Sequence, residues 1–261
     1  MYFIRHSERL DKTNPEVWKA STRYLENAMD TPLSENGFKI AEKTILDILK
    51  KDKREIGQIY SSPAERCLQT AMEFQKKINE KYGILVPIKI ENGLIFDVYN
   101  EENFIKKFEK RKVIFGKKFQ RIIFVDDYMS PRNIARRFGE EKFDLEYKPF
   151  VSIKEINSPN SPEKQFNLRL KTVFDLYENI NNGKLNIAVT HQENICDIIA
   201  QFSFKLKYNH EVDDFRRKYF EGTDYCFWIT ITIEKDNIEI TKLKNKSGAH
   251  KITKKFIESL K

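Results

Sequence analysis

Cysteine and histidine are scarce in this 261-residue chain, and those shortages narrow its chemistry. Only three cysteines occur, Cys67, Cys196 and Cys226. They are far apart and odd in number, so no disulfide framework is expected. None stands in Cys-x-x-Cys spacing with histidines, which argues against a zinc site. They read as buried thiols of a reducing compartment. Long apolar runs are also missing, since no stretch approaches the ~18 residues that a membrane span needs. The opening Met-Tyr-Phe-Ile-Arg-His lacks the basic and apolar regions of a signal peptide. A soluble, cytoplasmic protein without membrane partners is therefore expected. Asp126-Asp127 and Asp213-Asp214 have no ligands nearby in metal-site spacing, and His210 and His250 stand alone. Neither a metal nor a cofactor is expected.

What is abundant is apolar and charged. Hydrophobic residues make up 40% of the chain, with 20 Phe and 11 Tyr, ample for a buried core. The 33% of charged residues mix both signs, as on a solvated surface. The net charge of +8 favours anionic partners but does not choose among phosphate esters, nucleic acid and acidic membrane. Lys106, Lys107, Lys110, Arg111, Lys112, Lys117, Lys118 and Arg121 interleave with phenylalanines. This basic 106–121 stretch reads as a helix burying its aromatics rather than as a nucleic-acid contact. Arg132, Arg136 and Arg137 read as a solvated helical face.

Periodicity alternates between strand and helix. Tyr2-Phe3-Ile4 forms a buried strand ending at Arg5-His6. Residues 7–33 read as a long irregular loop with Trp18 as an anchor. Ser34 is an N-cap, with Leu33 and Phe38 placed as a hydrophobic staple and Phe38, Ala41, Ile45, Ile48 and Leu49 facing the core. Gln58–Ser61 is a second strand, and Ser62-Pro63-Ala64-Glu65 carries the signals of a capping box. Ile84–Ile90 is a third strand. The stretch from about 96 to 160, with Arg121–Val125 as a further strand, reads as an inserted cap. A helix through Phe166, Leu170, Val173, Phe174 and Tyr177 follows. Then come the strand Leu185–Thr190, a helix through Ile195, Ile198, Ile199 and Phe202, and a hairpin over 225–242 turning at 235–237. The expectation is a single domain over 1–261, a three-layer α/β/α sandwich on a mostly parallel sheet.

The chemistry gathers at strand ends. His6 and His191 each follow the carboxyl end of a buried strand, the edge at which open α/β sheets bind ligands. Arg5, Arg9 and Arg66 lie beside them in sequence or at the start of the next helix. Arginine's planar fork matches phosphoryl oxygens, and a helix start adds backbone N–H groups. Such a set suits a phosphate pocket better than a core.

These residues carry a family resemblance. Arg5-His6-Ser7-Glu8-Arg9 resembles the Arg-His-Gly-Glu-Arg signature of the histidine phosphatase superfamily, branch 1, with its phosphoglycerate-mutase-like fold. Ser61-Ser62-Pro63-Ala64-Glu65-Arg66-Cys67-Leu68-Gln69-Thr70-Ala71 resembles the second motif. Thr31-Pro32-Leu33-Ser34-Glu35-Asn36-Gly37 and Val189-Thr190-His191 match two further elements, in family order. Among members the motifs are most similar to the suppressor-of-T-cell-receptor-signalling type.

The resemblance implies a phosphatase acting on phosphomonoesters without metal. His6 would be the nucleophile, passing through a phosphohistidine. Arg5, Arg9, Arg66 and His191 would grip the phosphoryl group. Ile90-Glu91-Asn92-Gly93-Leu94 is similar to the stretch holding the family's acid, so Glu91 would be the general acid, with Asp30 and Asp97 in reserve. Ser7 replaces the usual glycine and would either narrow the pocket or add a hydroxyl donor to the phosphate site. Gln192 replaces a small residue after the second histidine. The substrate would be a phosphorylated small molecule or a phosphotyrosine protein. The alternative is a weakly catalytic scaffold binding an acidic partner, against which the retention of all five pocket residues argues.

Overall fold

The computed structural model describes residues 1–26, 30–95, 129–157, 162–180, 183–204, 225–234 and 237–244. Strand β1 (Tyr2–Arg5) leads into three short helices, α1 (Leu10–Thr13), α2 (Pro15–Ala20) and α3 (Thr22–Glu26). Then come α4 (Glu35–Lys51), β2 (Ile56–Ser61), α5 (Glu65–Tyr82) and β3 (Ile88–Ile90), closed by a 3-10 turn at Asn92–Leu94. Helix α6 (Pro131–Phe138), a 3-10 turn at Glu140–Lys142 and α7 (Ile153–Asn157) precede the long α8 (Pro162–Ile180). Strand β4 (Leu185–Thr190), α9 (Gln192–Phe204), β5 (Trp228–Glu234) and β6 (Asn237–Lys244) complete the order.

The six strands form one sheet in the order β3-β2-β4-β1-β5-β6. The β3–β2, β2–β4 and β4–β1 pairs are parallel, while β1–β5 and β5–β6 are antiparallel. Strand alternation divides the core in two. Tyr2 and Ile4 join Ile59, Ile187 and Val189 against Ala41, Ile45, Cys67 and Phe74 of α4 and α5. Phe3, Tyr60 and Ala188 face the other way, onto Phe166 and Leu170 of α8 and Ile195 and Ile199 of α9. The result is the expected α/β/α sandwich.

Several local expectations are corrected. Residues 7–33 hold α1, α2 and α3, the second capped by Asn14, whose side chain accepts from the N–H of Val17. Trp18 is buried, as an anchor should be. Ser34 does cap α4, accepting from the N–H of Gly37, but Phe38 is 38% exposed and does not join the core. Phe174 is likewise exposed on α8. The third strand is limited to Ile88–Ile90, and Ile84 and Leu85 are exposed before it. Helix α5 begins at Glu65 with Ala64 at its N-cap, while the Ser62 hydroxyl accepts the Ala64 N–H at 3.4 Å and meets a second partner, described below. Asp30 supplies the missing cap, its carboxylate accepting the Glu65 N–H at 2.7 Å. All three cysteines are buried thiols. Arg132, Arg136 and Arg137 are exposed on α6. Arg121–Val125, the basic 106–121 stretch, Asp97, Asp126-Asp127, Asp213-Asp214, His210, His250 and the hairpin turn at 235–236 lie outside the described residues. Among the described residues, no helix is long and apolar enough to cross a membrane.

The loop after β1 and the start of α4 are locked together. The Glu8 carboxylate accepts from the Ser34 hydroxyl at 2.6 Å and from the Asn36 amide, while the Glu8 carbonyl accepts the Ser34 N–H at 2.9 Å. This approach requires Gly37, where a Cβ would come within 2.4 Å of the Glu8 carbonyl oxygen. Gly37→Ala tests which effect wins, helix propensity favouring alanine by about 1 kcal/mol or the clash. We expect a net loss of about 1–3 kcal/mol, as for other overpacked sites, read from urea denaturation. A stabilised variant would show that the loop gives way easily.

Candidate active site

The parallel pairing of β1 with β4 sets Arg5 opposite Thr190. The next residue on each strand is a histidine, so both imidazoles reach the same edge, with ring centroids 5.5 Å apart in an edge-on arrangement. The His6 N–H donates to the Thr190 carbonyl at 2.8 Å, which fixes where one chain leaves the sheet relative to the other. His6 is 4% exposed and His191 1%.

Hydrogen bonds assign the tautomers. His6 Nδ1 lies 2.8 Å from the Ser7 carbonyl. A carbonyl can only accept, so Nδ1 carries the proton and the lone pair of the neutral ring sits on Nε2. His191 is the reverse. Its Nδ1 lies 3.1 Å from Nη2 of Arg66, which can only donate, so the proton is on Nε2 and points to the Ser62 hydroxyl at 3.0 Å. Ser62, which the sequence pattern assigned to a helix cap, is a site residue.

Both rings are held neutral. Burial drives the pKa of His6 well below its usual 6.5, helped by the charges of Arg66, His191 and Arg5. Burial does the same to His191, aided by Arg66, Arg9, Arg5 and Arg169. Arg169 itself is tied to Asp197 in a buried pair at 2.8 Å that joins α8 to α9. A neutral imidazole with a lone pair on Nε2 is a competent nucleophile at ordinary pH.

The arginines differ in readiness. Arg66, on the first turn of α5, is buried against His191. Arg5 lies with its guanidinium carbon 4.7 Å from the centroid of the Tyr225 ring. Arg9 points its fork at Asp11 in a bidentate pair, Nε to Oδ1 at 2.9 Å and Nη2 to Oδ2 at 2.6 Å. To hold a phosphoryl group it would have to exchange that partner.

Ser7 departs from the expectation. Its hydroxyl donates to the Gly37 carbonyl at 2.6 Å and its N–H donates to Thr70 Oγ1 at 3.0 Å. Both groups are spent on holding the loop against α4 and α5, so Ser7 does not offer its hydroxyl to the pocket. Thr70 in turn donates to the Arg66 carbonyl at 2.7 Å. Gln69 accepts the Leu33 N–H at 2.6 Å and donates to Glu65, which also pairs with Arg23. The Gln-Thr of the second motif is thus structural, a brace between helix and loops.

Glu91 lies just beyond the carboxyl end of β3 and is fully buried. Its Oε2 accepts from the Tyr147 hydroxyl at 2.7 Å and the Phe150 N–H at 2.9 Å, and Oε1 from the Gly93 N–H at 3.0 Å. Burial raises its pKa, and the donors from Tyr147, Gly93, Phe150 and Val151 oppose that without cancelling it. Glu91 therefore both anchors the 144–151 segment and retains a proton more readily than an ordinary glutamate. Asp30, the reserve acid, is engaged at the start of α5.

Residues 1–95 match the family described as the histidine phosphatase superfamily (branch 1). A curated relative, an uncharacterised phosphoglycerate mutase family protein of Acanthamoeba polyphaga mimivirus, is 40% identical over 76 residues. That match covers 28% of this chain and 34% of the relative, about a third of its length. Among solved structures, the ecdysone phosphate phosphatase of Bombix mori, in complex with tungstate, superposes with a TM-score of 0.62 at 17% identity, covering 95% of this chain and 92% of the other. A phosphoserine phosphatase mutant of Entamoeba histolytica, in complex with phosphoserine, gives 0.50 at 15% identity, covering 95% and 97%. These structures share the fold. The fold is thus similar to that of known phosphatases, and the stretch that carries β1, β2, β3 and both arginine motifs is the one that matches the family model.

The neutral histidines have a thermodynamic signature. Their pKa is lower folded than unfolded, so below about pH 6.5 the unfolded chain binds more protons and stability falls as pH falls. Each histidine contributes up to about 1.4 kcal/mol per pH unit. Replacing both by Gln should flatten the dependence of unfolding free energy between about pH 6.5 and pH 5, measured by urea titration. An unchanged slope would mean the rings are already protonated in the fold.

Proposed function

We propose that this protein is a metal-independent phosphomonoester hydrolase working through a phosphohistidine at His6. The observation that carries this reading is the tautomer. The Ser7 carbonyl holds the proton on Nδ1, leaving Nε2 as nucleophile, beside a second neutral imidazole and the charges of Arg5 and Arg66. In the first step the Nε2 lone pair attacks phosphorus, the P–O bond to the leaving group breaks, and the departing oxygen takes a proton from Glu91. In the second, water attacks phosphorus, the N–P bond breaks, and the proton lost by water returns to the Glu91 carboxylate. Arg5, Arg66 and His191 hold the phosphoryl oxygens, and Arg9 joins them on leaving Asp11. Because phosphoryl transfer depends mainly on positioning and charge, a rigid cationic pocket supplies most of what it needs.

The relatives that share the fold are phosphatases of ecdysone phosphate and phosphoserine. They support a phosphorylated small molecule as substrate. The finer motif similarity to the suppressor-of-T-cell-receptor-signalling type favours a phosphotyrosine protein instead. The three buried thiols fit the reducing cytoplasm as the place of action.

His6→Ala should lower hydrolysis of an aryl phosphate by at least about 10²-fold with a chelator present, and wild-type enzyme should yield an acid-labile phosphoprotein. Equal rates in the two proteins would end the proposal. Glu91→Gln separates the acid from the anchor. A general acid matters most for poor leaving groups, so the variant should lose about 10²–10⁴-fold with an alkyl phosphate and far less with p-nitrophenyl phosphate. A uniform loss across leaving groups would assign Glu91 a structural role alone.

A further inference from the structure

The backbone that enters β5 turns against the nucleophile. The Arg5 N–H donates to the Phe227 carbonyl at 2.8 Å, and the Cys226 N–H donates to the His6 carbonyl at 3.4 Å. Between those contacts and the preceding chain, Cys226 adopts φ = 53°, among the described residues the one non-glycine position in the left-handed region. A residue with a Cβ stays there only when its surroundings dictate it. Here the Cys226 side chain is buried beside Ser7 and Thr44, and the turn aims the preceding residue at the pocket.

That preceding residue is Tyr225. Its half-buried ring lies 4.7 Å from the guanidinium carbon of Arg5 and 6.2 Å from the His6 ring. We infer that Tyr225 is a positioning residue for Arg5, holding the guanidinium by its aromatic face at the height where the phosphoryl oxygens are gripped. Its ring fits the task for a physical reason. The negative face of an aromatic ring attracts a cation without hydrogen-bonding to it. A ring facing the guanidinium takes up none of its N–H donors itself. The strained turn at Cys226 is then explained by what it presents.

The inference rests on the phosphate-binding reading of the site, and binding of inorganic phosphate or orthovanadate tests it without turnover. Tyr225→Phe should bind either anion within about twofold of wild type, and Tyr225→Leu about tenfold more weakly, the size of a partly desolvated cation–π contact. If the leucine variant does not fold, a fluorinated series keeps the ring's shape while draining its negative face. Phe, difluoro-Phe and pentafluoro-Phe at position 225 should weaken anion binding stepwise. Equal affinity across the series, with wild type binding normally, would overturn the role of Tyr225 and leave the phosphate site standing. A KM for aryl phosphates that follows fluorination while inorganic phosphate affinity stays level would assign the ring to the leaving group and also overturn it. Wild-type protein that binds neither anion would remove both readings together.

Discussion

The register between β1 and β4 decides the rest of the site. Pairing Arg5 with Thr190 places one histidine beyond each strand at the same edge, and the bond from the His6 N–H to the Thr190 carbonyl holds them there. A slip of one residue would turn every side chain of β1 to the opposite face. Tyr2 and Ile4 would then exchange cores with Phe3, exposing the packing of four helices to mismatch. Because both faces of this strand are buried, the hydrophobic pattern that builds the sandwich also aligns the edge that carries the two histidines. Fold and site share one constraint.

Around that edge, motif residues divide into those that meet the pocket and those that brace it. Glu8, Gly37, Gln69 and Thr70 hold the loop after β1 against α4 and α5. Ser7 belongs with them, although its place beside His6 suggested otherwise. Where a glycine would leave the loop free to choose a conformation, the serine hydroxyl ties it to the Gly37 carbonyl. A serine also has less backbone freedom to lose on folding than a glycine, and its buried bonds hold the loop beside His6. Short motifs of this kind read as chemistry in sequence because chemistry and bracing sit a residue or two apart.

Much of the fold was legible because period-two and period-3.6 patterns report burial directly. Leu185–Thr190 ran to its full length, and Ser34 capped its helix. Phe38 and Phe174 misled for one reason: a large apolar residue at helical spacing need not be inside, and both sit at the margin of a buried stripe. In the site, His6, His191 and Arg66 were readable from their positions after strands and at a helix start. Ser62 was not, since the same residue type caps helices and orients imidazoles, and only the approach of His191 across the sheet decides between them. Tyr225 and Tyr147 carried no local signal at all. Each meets a partner more than fifty residues away, Arg5 for one and Glu91 for the other.

The electrostatics of the pocket run in one direction. Arg5, Arg9, Arg66 and Arg169 all oppose protonation of His191, and burial adds to them. Arg66 and Arg5 lower the pKa of His6 as well, and a field that repels protons also attracts anions. A phosphoryl dianion placed among these groups would act against every one of those shifts at once, because opposite charge nearby favours the protonated imidazole. On the mechanism proposed above, the first histidine, His6, would be spared that outcome once its Nε2 bonded to phosphorus. The second is not, and its hold on Arg66 through Nδ1 would give way as Arg66 turns to the anion. His191 would then be free to donate to a phosphoryl oxygen from the nitrogen that now accepts. In the proposed mechanism the charge of the substrate would thus turn His191 from an acceptor for Arg66 into a donor to phosphate before His6 attacks.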